Sequence, residues 1–375
     1  MKPLVDTHIA TLKPYVPGKP IEELERELGV SGSIKLASNE NPLGPSPKAL
    51  EAVARHMSEL HIYPDGAAFK LKASLAAFHG VDPCEITTGN GSNELLTLAV
   101  RTFCRSYHDH AVTSECAFAA YQIILQSHNV AMSVVPMTPA LAYDLGALQA
   151  AITEQTKLVF VANPNNPTGT YVTAEALRRF LREVPPDVVV VVDEAYHEYV
   201  TAEDYASAET MRAERERLLI VRTFSKCYGL AGLRVGYMIG TPEMIDMVNR
   251  VREPFNCNLL AQRAACAALE DHDFLRRTVE LNTEGRRLME ARLASMAHLG
   301  VSWIPSQTNF LLVRTQRDGR LLYERLLQKG VIVRPLGAVG PLACDLRVSI
   351  GTAEQIERFC AALLDVLVEL SSPTE

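Results

Sequence analysis

The chain has 375 residues, 47% of them hydrophobic and 22% charged, with a formal net charge of −7. That length and apolar content suit a large core divided over about two domains. No apolar run reaches the ~18 residues of a membrane-crossing helix, and the acidic balance offers no basic field to nucleic acid, so neither a membrane nor a nucleic acid is an expected partner.

In chain order, the opening MKPLVDTHIATLKPY lacks the apolar stretch of a secretory signal and contains Asp6, which predicts a cytoplasmic location. Residues 1–45 are rich in Pro, Gly and Asn around one short acidic helix at 21–28, and describe an arm that must pack on the rest of the chain. From residue 46, helical periodicity alternates with β-rich runs at 85–89, 110–115, 131–137, 157–164, 187–194, 218–224 and 235–240. Continuous apolar runs separated by helices predict an α/β domain over 46–265, a mostly parallel sheet covered on both faces. A helical stretch over 242–298, interrupted at Pro254, leads to VSWIPS, NFLLVRT, VIVRPL and LRVSIG, with helices at 318–329 and 352–369. These predict a smaller α+β domain over 266–375, with the arm packed against it.

Eight cysteines are scattered without C-x-x-C spacing, so neither a disulfide framework nor a zinc site is expected. His108 and His110 lack the carboxylates and thiols that would complete a coordination shell. They predict a surface loop, and no metal is expected.

The stretch RTFSKCYGLAGLRVGY (222–237) carries the chemistry. Lys226 follows a serine, stands 33 positions after Asp193 at the end of PDVVVVVDEAY, and is followed eight positions later by Arg234. Pyridoxal 5'-phosphate (PLP) needs an amine to condense with its aldehyde, a carboxylate to keep its pyridine nitrogen protonated, and an arginine with hydroxyls to hold its phosphate. Gly89-Asn90-Gly91-Ser92-Asn93-Glu94 follows a strand and opens a helix. Such a turn offers backbone N–H groups and a positive dipole end to a phosphate, although it would equally serve as a plain helix cap.

Further blocks run almost end to end: LKPYVPGKPIEE (12–23), LASNENPLGPSP (36–47), YPDG (63–66), NPNNPTG (163–169), DEAYHEY (193–199), REPFN (252–256), PSQTNFLLV (305–313), VIVRPL (331–336) and LRVSIGT (346–352). In order and spacing the chain resembles the fold-type I PLP-dependent aminotransferases, and among them the histidinol-phosphate aminotransferase family. The resemblance implies transfer of the amino group of L-histidinol phosphate to 2-oxoglutarate, giving imidazole acetol phosphate and glutamate in histidine biosynthesis. It implies that Lys226 anchors PLP and moves the proton, Asp193 pairs with the pyridine nitrogen, Asn166 and Tyr196 meet the phenolic oxygen, and Phe118 stacks on the ring. Gly91, Ser92, Asn93, Thr223, Ser225 and Arg234 would hold the phosphate, with Tyr63 reaching the phosphate of the neighbouring subunit of a homodimer. Arg334 and Arg347 would bind the anionic end of the substrate, with Tyr15 and the Asn39-Glu40-Asn41 arm closing over it.

Three departures from the family pattern stand out: Asn93 where Asp is usual, Cys116-Ala117 where Pro-Thr is usual, and Cys227 where Ala is usual. An aromatic or broad-specificity aminotransferase, or a PLP-dependent decarboxylase of an amino-acid phosphate, would use the same cofactor residues. A PLP-binding transcription regulator would need a DNA-reading domain, of which the sequence has no sign.

Overall fold

The computed structural model describes residues 2–337 and 340–371; Met1 of the expected arm and 372–375 of the expected C-terminal domain lie outside the described residues. Strand β1 (Ile34–Lys35) belongs to the arm. Strands β2 (Ile86–Gly89), β3 (His110–Ser114), β4 (Ala131–Val135), β5 (Thr156–Ala162), β6 (Val189–Asp193), β7 (Leu218–Thr223) and β8 (Gly236–Ile239) form one sheet in the order β2-β8-β7-β6-β5-β3-β4. The pairs from β4 to β7 are parallel, and β8 runs antiparallel to both its neighbours. Every residue of β6 (VVVVD) and β7 (LLIVRT) is buried, as expected for strands covered on two faces. The register pairs Ala162 with Asp193 and Asp193 with Val221. The carboxyl ends of β5, β6 and β7 therefore form one rim, the place where open α/β sheets bind ligands.

A second, smaller sheet of β9 (Ser302–Ile304), β10 (Phe310–Arg314), β12 (Arg334–Pro335) and β13 (Asp345–Ser349) is antiparallel in the order β12-β13-β10-β9, while β11 (Val331–Ile332) pairs in parallel with β1 of the arm. VIVRPL is thus two strands serving two sheets. Leu24 of the arm helix Ile21–Leu28 is buried with Leu327 and Ile332, which fixes this part of the arm to the smaller unit. The earlier turn Thr7–Ala10 instead meets the helix Ala120–Ser127, where Gln126 Nε2 donates to His8 O at 3.0 Å. The arm therefore bridges both halves of the molecule.

The expected helical stretch over 242–298 resolves into the helices Pro242–Val251, Leu259–Leu269 and His272–Ser295. Besides the interruption around Pro254 there is a second break, at Asp271, whose carboxylate accepts from Phe274 N and caps the last helix. Ala264, Ala265, Ala268 and Leu269 belong to the core of the large sheet, and the core of the smaller unit takes up Met289 and Leu293. The division expected between 265 and 266 falls inside the helix Leu259–Leu269, so the border between the two cores lies one helix later.

Candidate active site

An open cleft of about 180 Å³ lies on the rim of β5, β6 and β7 and is closed from the other side by the arm and by β12 and β13. It brings together Tyr15, Ser92, Asn93, Phe118, Asn166, Asp193, Tyr196, Thr223, Ser225, Lys226, Arg234, Arg334 and Arg347, residues spread over more than 300 positions of sequence. Asp193 sits at the rim because it is the last residue of β6. Its carboxylate accepts hydrogen bonds from Tyr121 Oη at 2.8 Å and from the Ala195 backbone N–H at 3.1 Å. Burial pushes its pKa up to about 6, against the pull of these two donors. A buried carboxylate so placed gains strongly from a cationic partner.

Lys226 Nζ donates to Ser38 O at 3.1 Å and stands 5.9 Å from the centre of the Tyr196 ring. Burial, then the nearby Arg347 charge, brings its pKa down to about 8, so the neutral amine needed for attack on a carbonyl is accessible near neutral pH.

The opposite end of the cleft is built for an anion. Gly91 caps the helix Ser92–Phe103 without a side-chain cap, leaving the first N–H groups of a twelve-residue helix facing outward. Of the two sequence-level alternatives for this turn, the structure thus lacks the side-chain cap. Gly91 has φ +79°, and a Cβ there would come within 2.5 Å of the Arg234 guanidinium. Gly236 is equally constrained, because its Cβ would lie 2.7 Å from Ser92 N. Thr223 Oγ1 and Ser225 Oγ lie on the same turn, and Arg234 Nη1 is 3.4 Å from Ser225 Oγ. An anion-binding helix end with hydroxyls and an arginine, an amine, and a buried carboxylate in one cleft fit the chemistry of PLP.

Arg347 is buried; Nη1 donates to Asn166 Oδ1 and Nη2 to Ala37 O, both at 2.7 Å, while Nε has no partner among the described residues. Arg334, opposite Arg347 in the register of β12 and β13, lies over the Tyr15 ring at 5.2 Å, and its guanidinium makes no hydrogen bond or ion pair among the described residues. Two cations thus face the cleft with donors to spare.

Four expected residues stand apart. Gly91 does not line the cleft, although a Cβ there would meet Arg234, and Glu40 of the arm pairs with Lys35 at 2.8 Å outside it. Tyr63 is 78% exposed, stacked on Phe255 at 4.8 Å, and outside the cleft of its own chain. Asn41 is not among the residues lining the cleft: its amide donates to Cys227 O at 2.9 Å and Thr278 Oγ1 at 3.2 Å, which ties the arm to the lysine loop. Asn39 takes the place in the cleft, donating from Nδ2 to Tyr196 Oη at 2.9 Å. Asn39 has φ 56°, a left-handed conformation that asparagine tolerates. Tyr121 also lines the cleft and was not singled out by the sequence.

Cys227 is fully buried, and burial raises its thiol well above the usual range, which makes it a small packing residue. His110 begins β3 and does not lie in the expected loop; its ring nitrogens meet Thr156 Oγ1 and Ser133 Oγ at 2.8 and 2.9 Å.

Residues 31–363 match the family model for aminotransferase class I and II. The histidinol-phosphate aminotransferase 2 of Pseudomonas aeruginosa is 49% identical over 366 residues, covering 97% of this chain and 98% of that protein. The histidinol-phosphate aminotransferase of Moorella thermoacetica is likewise 49% identical, covering 96% and 92%. The crystal structure of histidinol-phosphate aminotransferase from Sinorhizobium meliloti in complex with pyridoxal-5'-phosphate superimposes with a TM-score of 0.90 at 30% identity, covering 98% of each chain. With this sheet, this cleft and these relatives, the chain belongs to the aminotransferase class I and II family.

Proposed function

We propose that the protein is a PLP-dependent aminotransferase that carries the amino group of L-histidinol phosphate to 2-oxoglutarate, acting in the cytoplasm as a homodimer. One observation carries this reading: a single cleft is lined by a buried lysine amine, a buried carboxylate, the start of a helix and two arginines of the smaller unit. The names of the relatives that match nearly the whole chain support the choice of substrate.

When bound, PLP supplies an aldehyde and a ring that accepts the electron pair left behind when a proton leaves the substrate carbon. Asp193 holds the positive charge of the pyridine nitrogen that makes the ring an acceptor. Ser92, Asn93, Thr223, Ser225 and Arg234 would hold the phosphate, Phe118 would cover the ring, and Asn166 and Tyr196 would meet the phenolic oxygen. Lys226 would supply the amine that binds the cofactor, and the same amine would take the proton from the substrate Cα and pass it on. Arg347 and Arg334 orient the substrate, because a planar guanidinium donates equally well to phosphate and to carboxylate oxygens and so serves both partners of a transamination.

The homodimer is supported by Leu50, Met57, Leu60, Ile62, Tyr63 and Phe69, large apolar side chains close in sequence and each more than half exposed, with Phe255 stacked on Tyr63. A second copy covering this face would bury them and bring Tyr63 of the partner subunit to the phosphate end of the site.

The test is a panel of half-reactions with the holoenzyme, following the cofactor absorbance as each amine is added. Histidinol phosphate is expected to convert the cofactor to its amine form at least about 10-fold more efficiently than phenylalanine, and 2-oxoglutarate to restore it. A preference for phenylalanine, or carbon dioxide release from threonine phosphate, would replace this reading. Lys226→Ala should bind PLP in dialysable form and lose turnover by several orders of magnitude.

A further inference from the structure

Tyr121 is completely buried in the wall of the cleft. It lies three residues after Phe118 on the helix Ala120–Ser127, and the two rings meet at 88° with centroids 5.8 Å apart. The Tyr121 ring also stacks on Phe160 of β5, 4.9 Å between centroids and 13° between planes. These contacts fix the direction of the phenol, whose hydroxyl donates to Asp193 Oδ2 at 2.8 Å. With Ala195 N on Oδ1, both oxygens of the carboxylate are held.

We infer that Tyr121 is the positioning residue of Asp193, its hydroxyl keeping the carboxylate ionised and in one rotation so that it can pair with a protonated ring nitrogen. This rests on the PLP reading above. A dry site requires such a device, because burial alone favours the neutral acid, which cannot pair with a cation. The Tyr121 phenol stays protonated across the working pH range, since burial and the Asp193 charge raise its ionisation well above the ordinary tyrosine value. It is therefore a fixed donor, and a fixed donor stabilises an anion more than the corresponding acid. The stack on Phe160 involves only the ring, so position and charge control can be separated by experiment.

Tyr121→Phe keeps the ring and removes the hydroxyl. The measurement is the equilibrium affinity of the full-length apoprotein for PLP as a function of pH, in wild type, Tyr121→Phe, Asp193→Asn and the double variant. The expected loss for Tyr121→Phe at neutral pH is about 10-fold, as for one charge-assisted hydrogen bond. The pH below which PLP binds weakly should also rise by about one unit, because Asp193 without its donor takes up a proton earlier. In the Asp193→Asn background the same substitution should change affinity by less than about 2-fold, since the charge it serves is gone. Equal losses in both backgrounds, or an unmoved pH midpoint, would mean a merely structural tyrosine and overturn the inference. Wild type that fails to bind PLP would remove the cofactor reading and this inference with it, an outcome distinct from a failure of Tyr121→Phe alone to show an effect. Should Tyr121→Phe not fold, 3-fluorotyrosine at position 121, a stronger donor, is expected to move the midpoint to lower pH; an unmoved midpoint there overturns the inference as well.

Discussion

Arg347 Nη1 and Asn166 Oδ1 are joined by a 2.7 Å hydrogen bond that links β13 of the smaller sheet to the loop after β5 of the larger one. The same guanidinium reaches Ala37 O of the arm at 2.7 Å and lies 5.4 Å from the centre of the Phe310 ring. One side chain thus ties together three parts of the chain that converge on the cleft.

A lysine at this position would keep the charge and lose the fork. Arg347→Lys cannot hold Asn166 and Ala37 while presenting a planar pair of donors to a substrate anion. We expect KM to rise about 10-fold or more for both the amino donor and 2-oxoglutarate, with kcat less affected, because an interaction present in the ground state has been removed. Steady-state kinetics with each substrate varied in turn check this; an effect on one substrate alone would mean that the two anions use different arginines.

Asp193 gives a pH-dependent prediction for the apoprotein. Its pKa of about 6 in the folded chain lies above the ordinary 3.8, so the folded state binds more protons between these values and stability falls as pH rises through them. The loss is complete above about pH 6 and amounts to roughly 3 kcal/mol at about 1.36 kcal/mol per pH unit. Asp193→Asn should therefore stabilise apoprotein at neutral pH, by up to that amount, and leave it nearly unchanged below about pH 4. The same variant should bind PLP more weakly. Urea unfolding at the two pH values separates the effects, and equal stability changes at both would assign the gain to packing.

Much of the site was legible because its parts lie in short blocks tied to strand ends. Asp193 closes an unbroken apolar run, Lys226 and Arg234 share the next loop, and the Gly91 turn opens a helix. Residues whose role depends on distant partners were not legible. Tyr121 meets Asp193 across 72 positions, which no local spacing encodes; the arm around Asn39 was expected over the site, but its pairing with Tyr196 across 157 positions was not. Asn39 and Asn41 show the limit clearly: two positions apart, they would share a face of an extended chain, but the left-handed backbone at Asn39 turns one to Tyr196 in the cleft and the other to Cys227 O. In the fold, VIVRPL read as one strand because its pattern does not break where β11 leaves one pairing and β12 enters another. The break at Asp271 had a local cap signal, hidden by helical periodicity on both sides.

Asn41 distinguishes a structural from a substrate role. Its amide bonds to Cys227 O and Thr278 Oγ1 are buried, and its Oδ1 accepts from Leu43 N at 3.0 Å. Asn41→Ala should cost about 1–3 kcal/mol by leaving buried partners unsatisfied. With saturating PLP, KM for the amino donor should stay within about 3-fold of wild type, as expected for a residue outside the transition-state contacts. Thermal unfolding beside kinetics decides the matter; a large KM increase at unchanged stability would return Asn41 to the substrate.

The proposed sharing of the site between two subunits has a direct test in subunit mixing. Tyr63 is 78% exposed and outside the cleft of its own chain, whereas Lys226 is inside it. If Tyr63 serves the partner subunit, a Tyr63→Ala chain paired with a Lys226→Ala chain forms one intact site, built from the lysine of the first and the tyrosine of the second, and one site lacking both. Random pairing gives half heterodimers, each with one working site of two, so mixing the inactive variants after reversible dissociation should restore about a quarter of wild-type activity. Tyr63→Ala must first be shown to be damaging alone, which loss of a phosphate hydrogen bond of ~1–3 kcal/mol supplies. Subunit exchange is monitored independently with differently tagged chains. With exchange demonstrated, absence of recovery would place Tyr63 in the service of its own chain and leave the apolar face around Phe255 as a contact without a catalytic contribution.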